Sequence, residues 1–345
     1  MQKNKHSFAS DNFSGVHPEV MKKLNEVNVG HTPAYGDDEY TTSAKEKLRR
    51  QFGEKIDIYF VMIGTGANAL GIKAISKSYN SIICAESSHI NVHECGAPQF
   101  FSGCPMHTIS TNNGKITVKQ IKNKLGVKGD PHMSQARVIS LSQPTELGTL
   151  YTIDEIEKIS NFAHKNNLLL HMDGVRLANA AASMRVSFKQ MTGDVGVDVL
   201  SFGGTKNGLM CAESVIFFDK KLSEDFKYYR KQGSQLFSKM RYISAQFDAF
   251  FTNGLWLEMA NNANKMSKKL ATRMRKIPNI KIVQKVETNV VFAYIPPKII
   301  PQLLEEYFFY VWDGEKSYVR LMTSFDTTEN DIAEFVSFVK KKSQQ

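Results

Sequence analysis

The sequence predicts an α/β fold: a large domain on a mostly parallel sheet covered by helices, then a smaller C-terminal α+β domain. Three observations carry this. From about residue 42 to residue 219, apolar β-branched runs alternate with runs of helical period, as in βαβ units. After about residue 220 the strand signals thin out, and residues 222–275 read as long, polar and mostly helical. Strand-like runs then return at 281–295 and 317–325, followed by a closing helical pattern at 331–342. These shifts divide the chain into an N-terminal segment (1–30), a large domain (31–250) and a small domain (251–345).

Each element has its own signal. TSAKEKLRRQF (42–52) places apolar residues at helical spacing. IDIYFVMIG (56–64) is apolar, β-branched and aromatic, and ends in glycine, so it reads as a strand. Helical spacing resumes in GANALGIKAISK, and NSIICAE (80–86) is a buried strand candidate. HTIST (107–111) is extended, ITVKQIKNKL (116–125) helical and ARVISLS (136–142) a strand. Residues 151–167 form an amphipathic helix, with Thr152 and Glu155 spaced as a capping box. NLLLHMD (167–173), DVLSF (198–202) and SVIFFD (214–219) complete the strands of the large sheet.

Composition narrows the function classes. The 345 residues are 42% hydrophobic and 23% charged, an ordinary globular balance. No apolar run approaches the roughly 18 residues of a membrane span. The N-terminus has basic residues but no apolar stretch of the secretory type. Four cysteines in such a chain read as reduced thiols of a cytoplasmic protein, not as a disulfide framework. The formal charge of +10 raises a nucleic-acid reading. The Lys and Arg are spread along the chain, however, and no nucleic-acid-binding motif accompanies them.

In folds of this class ligands sit at the carboxyl ends of the strands, and those ends are chemically unusual here. The first leads into GTGAN (64–68), where Gly64, Thr65 and Gly66 let backbone N–H groups converge on an anion; a plain tight turn is the simpler alternative. The second leads to His89. Because His89, His93, Cys95, Cys104 and His107 lie close in sequence, a metal site is weighed; the unpaired cysteines argue against it. HMDGVR (171–176) supplies Asp173, either a helix cap or a buried carboxylate, and Arg176, suited to a bidentate carboxylate. SFGGTKNG (201–208) places Lys206 on a glycine-rich turn between two core-bound runs. An anion cradle, a histidine, an aspartate, an arginine and a lysine on one face match the needs of pyridoxal phosphate: a phosphate, a lysine-reactive aldehyde and a ring nitrogen to be kept protonated.

Further stretches then carry a resemblance. SDN (10–12), YGDDEYT (35–41), GTGAN, SSHINVHECGA (87–97), SQPTELGTLY (142–151), LHMDGVRLANA (170–180), SFGGTKNG, GSQLFSKMRY (233–242), TNVVF (288–292) and VRLMTSFD (319–326) occur in order over nearly the whole chain. Together they resemble the low-specificity L-threonine aldolases, pyridoxal-phosphate enzymes of fold type I with a seven-stranded large-domain sheet. The resemblance implies cleavage of L-threonine, L-allo-threonine and related β-hydroxy-α-amino acids to glycine and an aldehyde. It implies that Lys206 would form the Schiff base, Asp173 would pair with the pyridine nitrogen and His89 would stack on the ring. Gly64, Thr65, Gly66 and Thr205 would hold the phosphate, with Arg241 from a neighbouring subunit. Ser10, Arg176 and Arg320 would grip the substrate carboxylate, and Tyr35 would lie near the pocket. A homo-oligomer, dimer or tetramer, with sites at a subunit interface is implied. Where familiar members carry a histidine near the substrate hydroxyl, this chain has Glu146. The proton acceptor is therefore Glu146, His89 or a water. Rival readings are another enzyme of the same cofactor (a β-eliminating lyase, a racemase or a serine hydroxymethyltransferase-like enzyme), a basic nucleic-acid-binding protein on the same fold, and a metal protein.

Overall fold

The computed structural model describes residues 5–344. Among the described residues, eleven strands form two sheets. The first holds β1 (Asp57–Val61), β2 (Asn80–Ala85), β3 (Met106–Ile109), β4 (Gln135–Ser142), β5 (Leu169–Gly174), β6 (Val199–Gly203) and β7 (Glu213–Phe217). Their order across the sheet is β1-β7-β6-β5-β4-β2-β3. β4, β5 and β6 run side by side in parallel, so Ser142, Asp173 and Ser201 end in register on one edge. β7 is antiparallel to both of its neighbours. The fold class read from the sequence is thus present; the reversal of β7 is not visible in its apolar pattern. It brings Glu213, the first residue of β7, to the edge where β6 ends.

The helices form where their end signals act together. Thr152 caps Ile153–Lys165 in a reciprocal box with Glu155, as the spacing predicts. The helix expected over 116–125 is shorter, Val118–Lys122, because Asn123 closes it and Gly126 turns at positive φ. The glycine-rich GTGAN is not a loop ahead of a helix. The helix Gly64–Ala74 begins at Gly64 itself, and its extended N-cap residue, Ile63, provides no side-chain cap. The first-turn N–H groups therefore lack an intrachain side-chain acceptor at the cap.

The second sheet contains β8 (Lys281–Ile282), β9 (Val290–Tyr294), β10 (Tyr310–Asp313) and β11 (Tyr318–Met322), in the order β10-β11-β9-β8. β10 escaped the sequence reading because it is a short edge strand whose first two residues are exposed. A second apolar core covers this sheet and draws in Phe8 from the N-terminal segment. The Phe8 ring lies 4.7 Å from that of Phe335. Its backbone bonds to the Phe308 carbonyl (2.9 Å) and accepts from Met322 N–H (2.8 Å). Burying such a ring stabilises by about 2–3 kcal/mol, enough to fix where the next residues, Ser10 and Asp11, must point.

Candidate active site

A cavity of about 690 Å³ lies between the strand ends of the large sheet and the face of the small one. Lys206, His89, Glu146, Arg176, Ser10 and Arg320 all open into it. A narrow recess at its base is lined by both Asp173 and Lys206. The amine after β6 and the carboxylate ending β5 therefore face one small space.

Asp173 is held from behind. Asn68, on the helix that opens with GTG, donates to Oδ2 at 2.9 Å, and Val175 N–H donates to Oδ1 at 3.2 Å. It does not cap the following helix Leu177–Met184, whose N-cap is Arg176 without a side-chain bond. Asn68 also donates to Glu94 Oε1 at 2.8 Å, and the same oxygen meets His89 Nδ1 at 2.8 Å. A chain Asp173–Asn68–Glu94–His89 thus sets the imidazole beside the recess. Burial raises the Glu94 carboxyl above the ordinary carboxylate range, and its bond to His89 only partly offsets this. Beneath Asp173, His171 is fully buried between Ser140 and Ser201, and burial pushes its pKa down to about 4, so it is neutral.

Lys206 lies on the turn Thr205–Asn207. Burial, and then the nearby Arg176 guanidinium, push its amine below the usual lysine range. That raises the fraction present as a nucleophile at neutral pH. Thr205 Oγ1 accepts from Ala212 N–H at 3.0 Å and fixes the turn.

The two arginines are provided for differently. Arg176 binds Asp11 bidentately, Nε to Oδ2 at 2.7 Å and Nη2 to Oδ1 at 2.8 Å. Asn289 adds a third bond to Asp11 at 3.1 Å. Burial would raise the Asp11 carboxyl, but Arg176 outweighs it and holds the group below the ordinary range. Among the described residues, Arg320, in β11, donates only to the Ala9 carbonyl at 3.1 Å and lies between the Tyr310 and Trp312 rings. Its Nε is buried without a partner. Burial and repulsion from Arg176 lower its pKa to about 10, which leaves it cationic at neutral pH.

Glu146 follows β4. Its Oε1 accepts from His89 N–H at 2.7 Å and from Ser142 Oγ at 2.6 Å, while Oε2 has no partner. Burial is the main reason its carboxyl is raised. Ser10 caps the short turn Asp11–Phe13 and lines the cavity.

The cradle residues Gly64, Thr65 and Gly66 adjoin this site through Val175, which lies 3.4 Å from where a Gly64 Cβ would be. A Cβ on Gly66 would meet Gln235 at 2.6 Å, and Gln235 in turn accepts from Met62 N–H. Tyr35, expected near the pocket, and Arg241, expected at the phosphate, both lie outside the lining of this cavity. Tyr35 is half exposed at positive φ. Arg241 bonds the Val29 carbonyl. Of the residues of the weighed metal reading, Cys104 is buried with its sulfur on the Lys77 carbonyl and His107 faces the Lys124 carbonyl, while His89 and His93 stay together with their rings 5.7 Å apart.

The sequence reading missed Asn68, Glu94, Asp11 and Asn289. All four sit inside the quoted stretches, but their partners lie elsewhere in the chain, so only spacing in three dimensions reveals them.

Residues 7–297 match the family model described as β-eliminating lyase. The chain is 39% identical to a low specificity L-threonine aldolase of Pseudomonas aeruginosa and 38% identical to one from another Pseudomonas strain, in each case over 96% of both chains. It superposes on the structure of a Leishmania major threonine aldolase with a TM-score of 0.92 at 26% identity, covering 98% of this chain and 99% of that one.

Proposed function

The chain belongs to the β-eliminating lyase family, and from that premise we propose that it cleaves L-threonine, L-allo-threonine and related β-hydroxy-α-amino acids with bound pyridoxal phosphate. The carrying observation is the recess shared by the Lys206 amine and the Asp173 carboxylate. The residues fit the cofactor on two counts. The first turn at Gly64 has no side-chain cap and suits a phosphate. The buried Asp173, fixed by Asn68, suits a protonated ring nitrogen.

Lys206 would hold the cofactor through its amine, Thr205 and the Gly64–Gly66 amides its phosphate, and His89 the face of its ring. When bound, pyridoxal phosphate supplies the sink for the electron pair released as Cα–Cβ breaks. Arg320 anchors the substrate carboxylate, since its Nε alone among the two guanidinium groups is buried without a partner. Arg176, neutralised by Asp11, contributes position and field. Ser10 adds a hydroxyl at the same end. Anchoring fixes the orientation of the bonds at Cα, and with it which of them breaks. Glu146 Oε2 accepts the β-hydroxyl proton: it is unpartnered, and burial makes it a stronger base than an ordinary carboxylate. The cavity, far larger than threonine, extends toward Val311 and Trp312 and leaves the β-substituent loosely defined.

The reading includes a homo-oligomer with sites at a subunit interface. Ile63 beside the cradle and Met210 shortly after Lys206 are both exposed apolar residues that a second copy would cover. Arg241 of that copy would then complete the phosphate site. Among the described residues, no helix is long and apolar enough to cross a membrane. The four free cysteines suit a cytoplasmic location.

The test is product analysis. The purified protein with threonine should yield glycine and acetaldehyde, and little ammonia or pyruvate should form from serine. Lys206→Ala should abolish both turnover and the protein's visible colour. A Lys206→Ala variant with full activity would end the reading.

A further inference from the structure

Glu213 has no part in the chemistry above, yet it is among the most buried acidic groups of the chain, 2% exposed. The reversal of β7 places it at the strand-end edge, opposite Gly203 in the β6 ladder. Its Oε2 occupies the space a side chain on Gly203 would need, 1.6 Å from an ideal Cβ there, so Gly203 is glycine because Glu213 lies over it. The same oxygen is 4.0 Å from where a Gly64 Cβ would stand, at the first turn of the cradle helix. Thr205, which follows the lysine turn's Gly204, faces it with both hydroxyl and amide. The carboxyl therefore forms part of the floor shared by the cradle and the lysine turn. The charged and titratable groups around it are Lys206 from the turn after β6, Asp173 from β5 and Cys211 on its own approach. Burial is the main influence on it, and the Thr205 hydroxyl and then Lys206 only partly compensate, which pushes its pKa up to about 7.

We propose that Glu213 sets the affinity of the cradle for the cofactor's phosphate through its own proton: neutral, it leaves the helix N-terminus attractive to an anion; ionised, it repels one. This rests on the pyridoxal-phosphate reading and adds a pH control to it. A fixed negative charge within several ångströms of a phosphate, in a partly desolvated site, costs tenfold or more in affinity by order of magnitude. By reciprocity, a phosphate that binds must draw a proton onto Glu213.

The experiment compares pyridoxal phosphate with pyridoxal, which lacks the phosphate, on the full chain stripped of cofactor. Titrations of Lys206 enter both ligands alike and cancel in the ratio of their dissociation constants. In the wild type, the preference for the phosphorylated form should fall roughly tenfold or more between pH 6 and pH 8.5. Glu213→Gln should keep that preference flat or let it rise. At pH 8, pyridoxal phosphate should also be bound with uptake of up to about one proton more than pyridoxal, read in weakly buffered solution with an indicator dye. That second measurement needs only the wild type, should Glu213→Gln fold poorly. Equal proton uptake for the two ligands, or the same pH slope in wild type and Glu213→Gln, would overturn the proposal. A chain that takes up neither ligand at any pH would overturn the cofactor reading instead.

Discussion

The two arginines of the cavity come from different halves of the molecule and meet opposite conditions. Arg176, at the edge of the large sheet, has its charge cancelled within the fold by Asp11, which Asn289 also holds. Arg320, in the small sheet, has a carbonyl, two aromatic faces and one buried nitrogen with nothing to bind. Glu146 resembles Arg320 in this: one oxygen is engaged and one is bare. Saturated groups hold the shape of a site, because a buried ion pair is rigid once made. Unsaturated ones keep a cost that an incoming molecule relieves. On the proposed reading, the Arg176 side serves architecture and the Arg320 and Glu146 side serves the substrate.

Substitutions at three positions test that division. Asp11→Asn strands Arg176 in a buried place, and breaking such a pair costs about 3–5 kcal/mol of folding stability. Denaturant midpoints should fall accordingly. The acid limb of the stability curve should also flatten. Asp11 is depressed in the fold, so its contribution is present above the ordinary carboxylate pKa and is lost as pH falls through the folded value. A variant as stable as wild type would mean the pair is not structural. Arg320→Ala should leave stability nearly unchanged but lower kcat/KM for threonine by roughly 10²–10³, the worth of two charged hydrogen bonds. Arg320→Lys should recover only part of this, because an ammonium lacks the planar fork. Unaltered kcat/KM in Arg320→Ala would move the carboxylate anchor to Arg176. Glu146→Gln should slow kcat about 10²-fold with cofactor affinity preserved. In the wild type, kcat should fall on the acid side at a pH above the ordinary carboxylate range, because burial raises this carboxyl and only its ionised form accepts a proton. An identical pH profile in Glu146→Gln would remove it as the base.

The sequence was informative wherever chemistry is local. The box at Thr152 and the strand runs need only their own residues, and they form as the pattern requires. Asp173 and Lys206 were legible because one closes an apolar run and the other follows the next such run by a short glycine turn, which places both at a sheet edge. Asn68 and Glu94 lay in recognisable stretches, yet their function is to meet each other and Asp173, and no spacing rule links residue 68 to residue 173. Glu213 shows a second limit. Whether the strand that begins with it runs up or down the sheet decides whether the carboxyl meets the cradle or lies on the far edge, and an apolar run of five residues reads the same in both directions.

Ser10 and Asp11 belong to one end of the cavity, and Arg320, whose guanidinium reaches back to the Ala9 carbonyl, lies 311 positions along the chain from it. Phe8 is sewn to Phe308 and Met322 in the same way. The large sheet is built from residues 57–217 alone, but the pocket is finished only when these distant stretches meet. Contacts this distant in sequence form late, so a chain whose large sheet has already assembled still has no closed place for an amino acid.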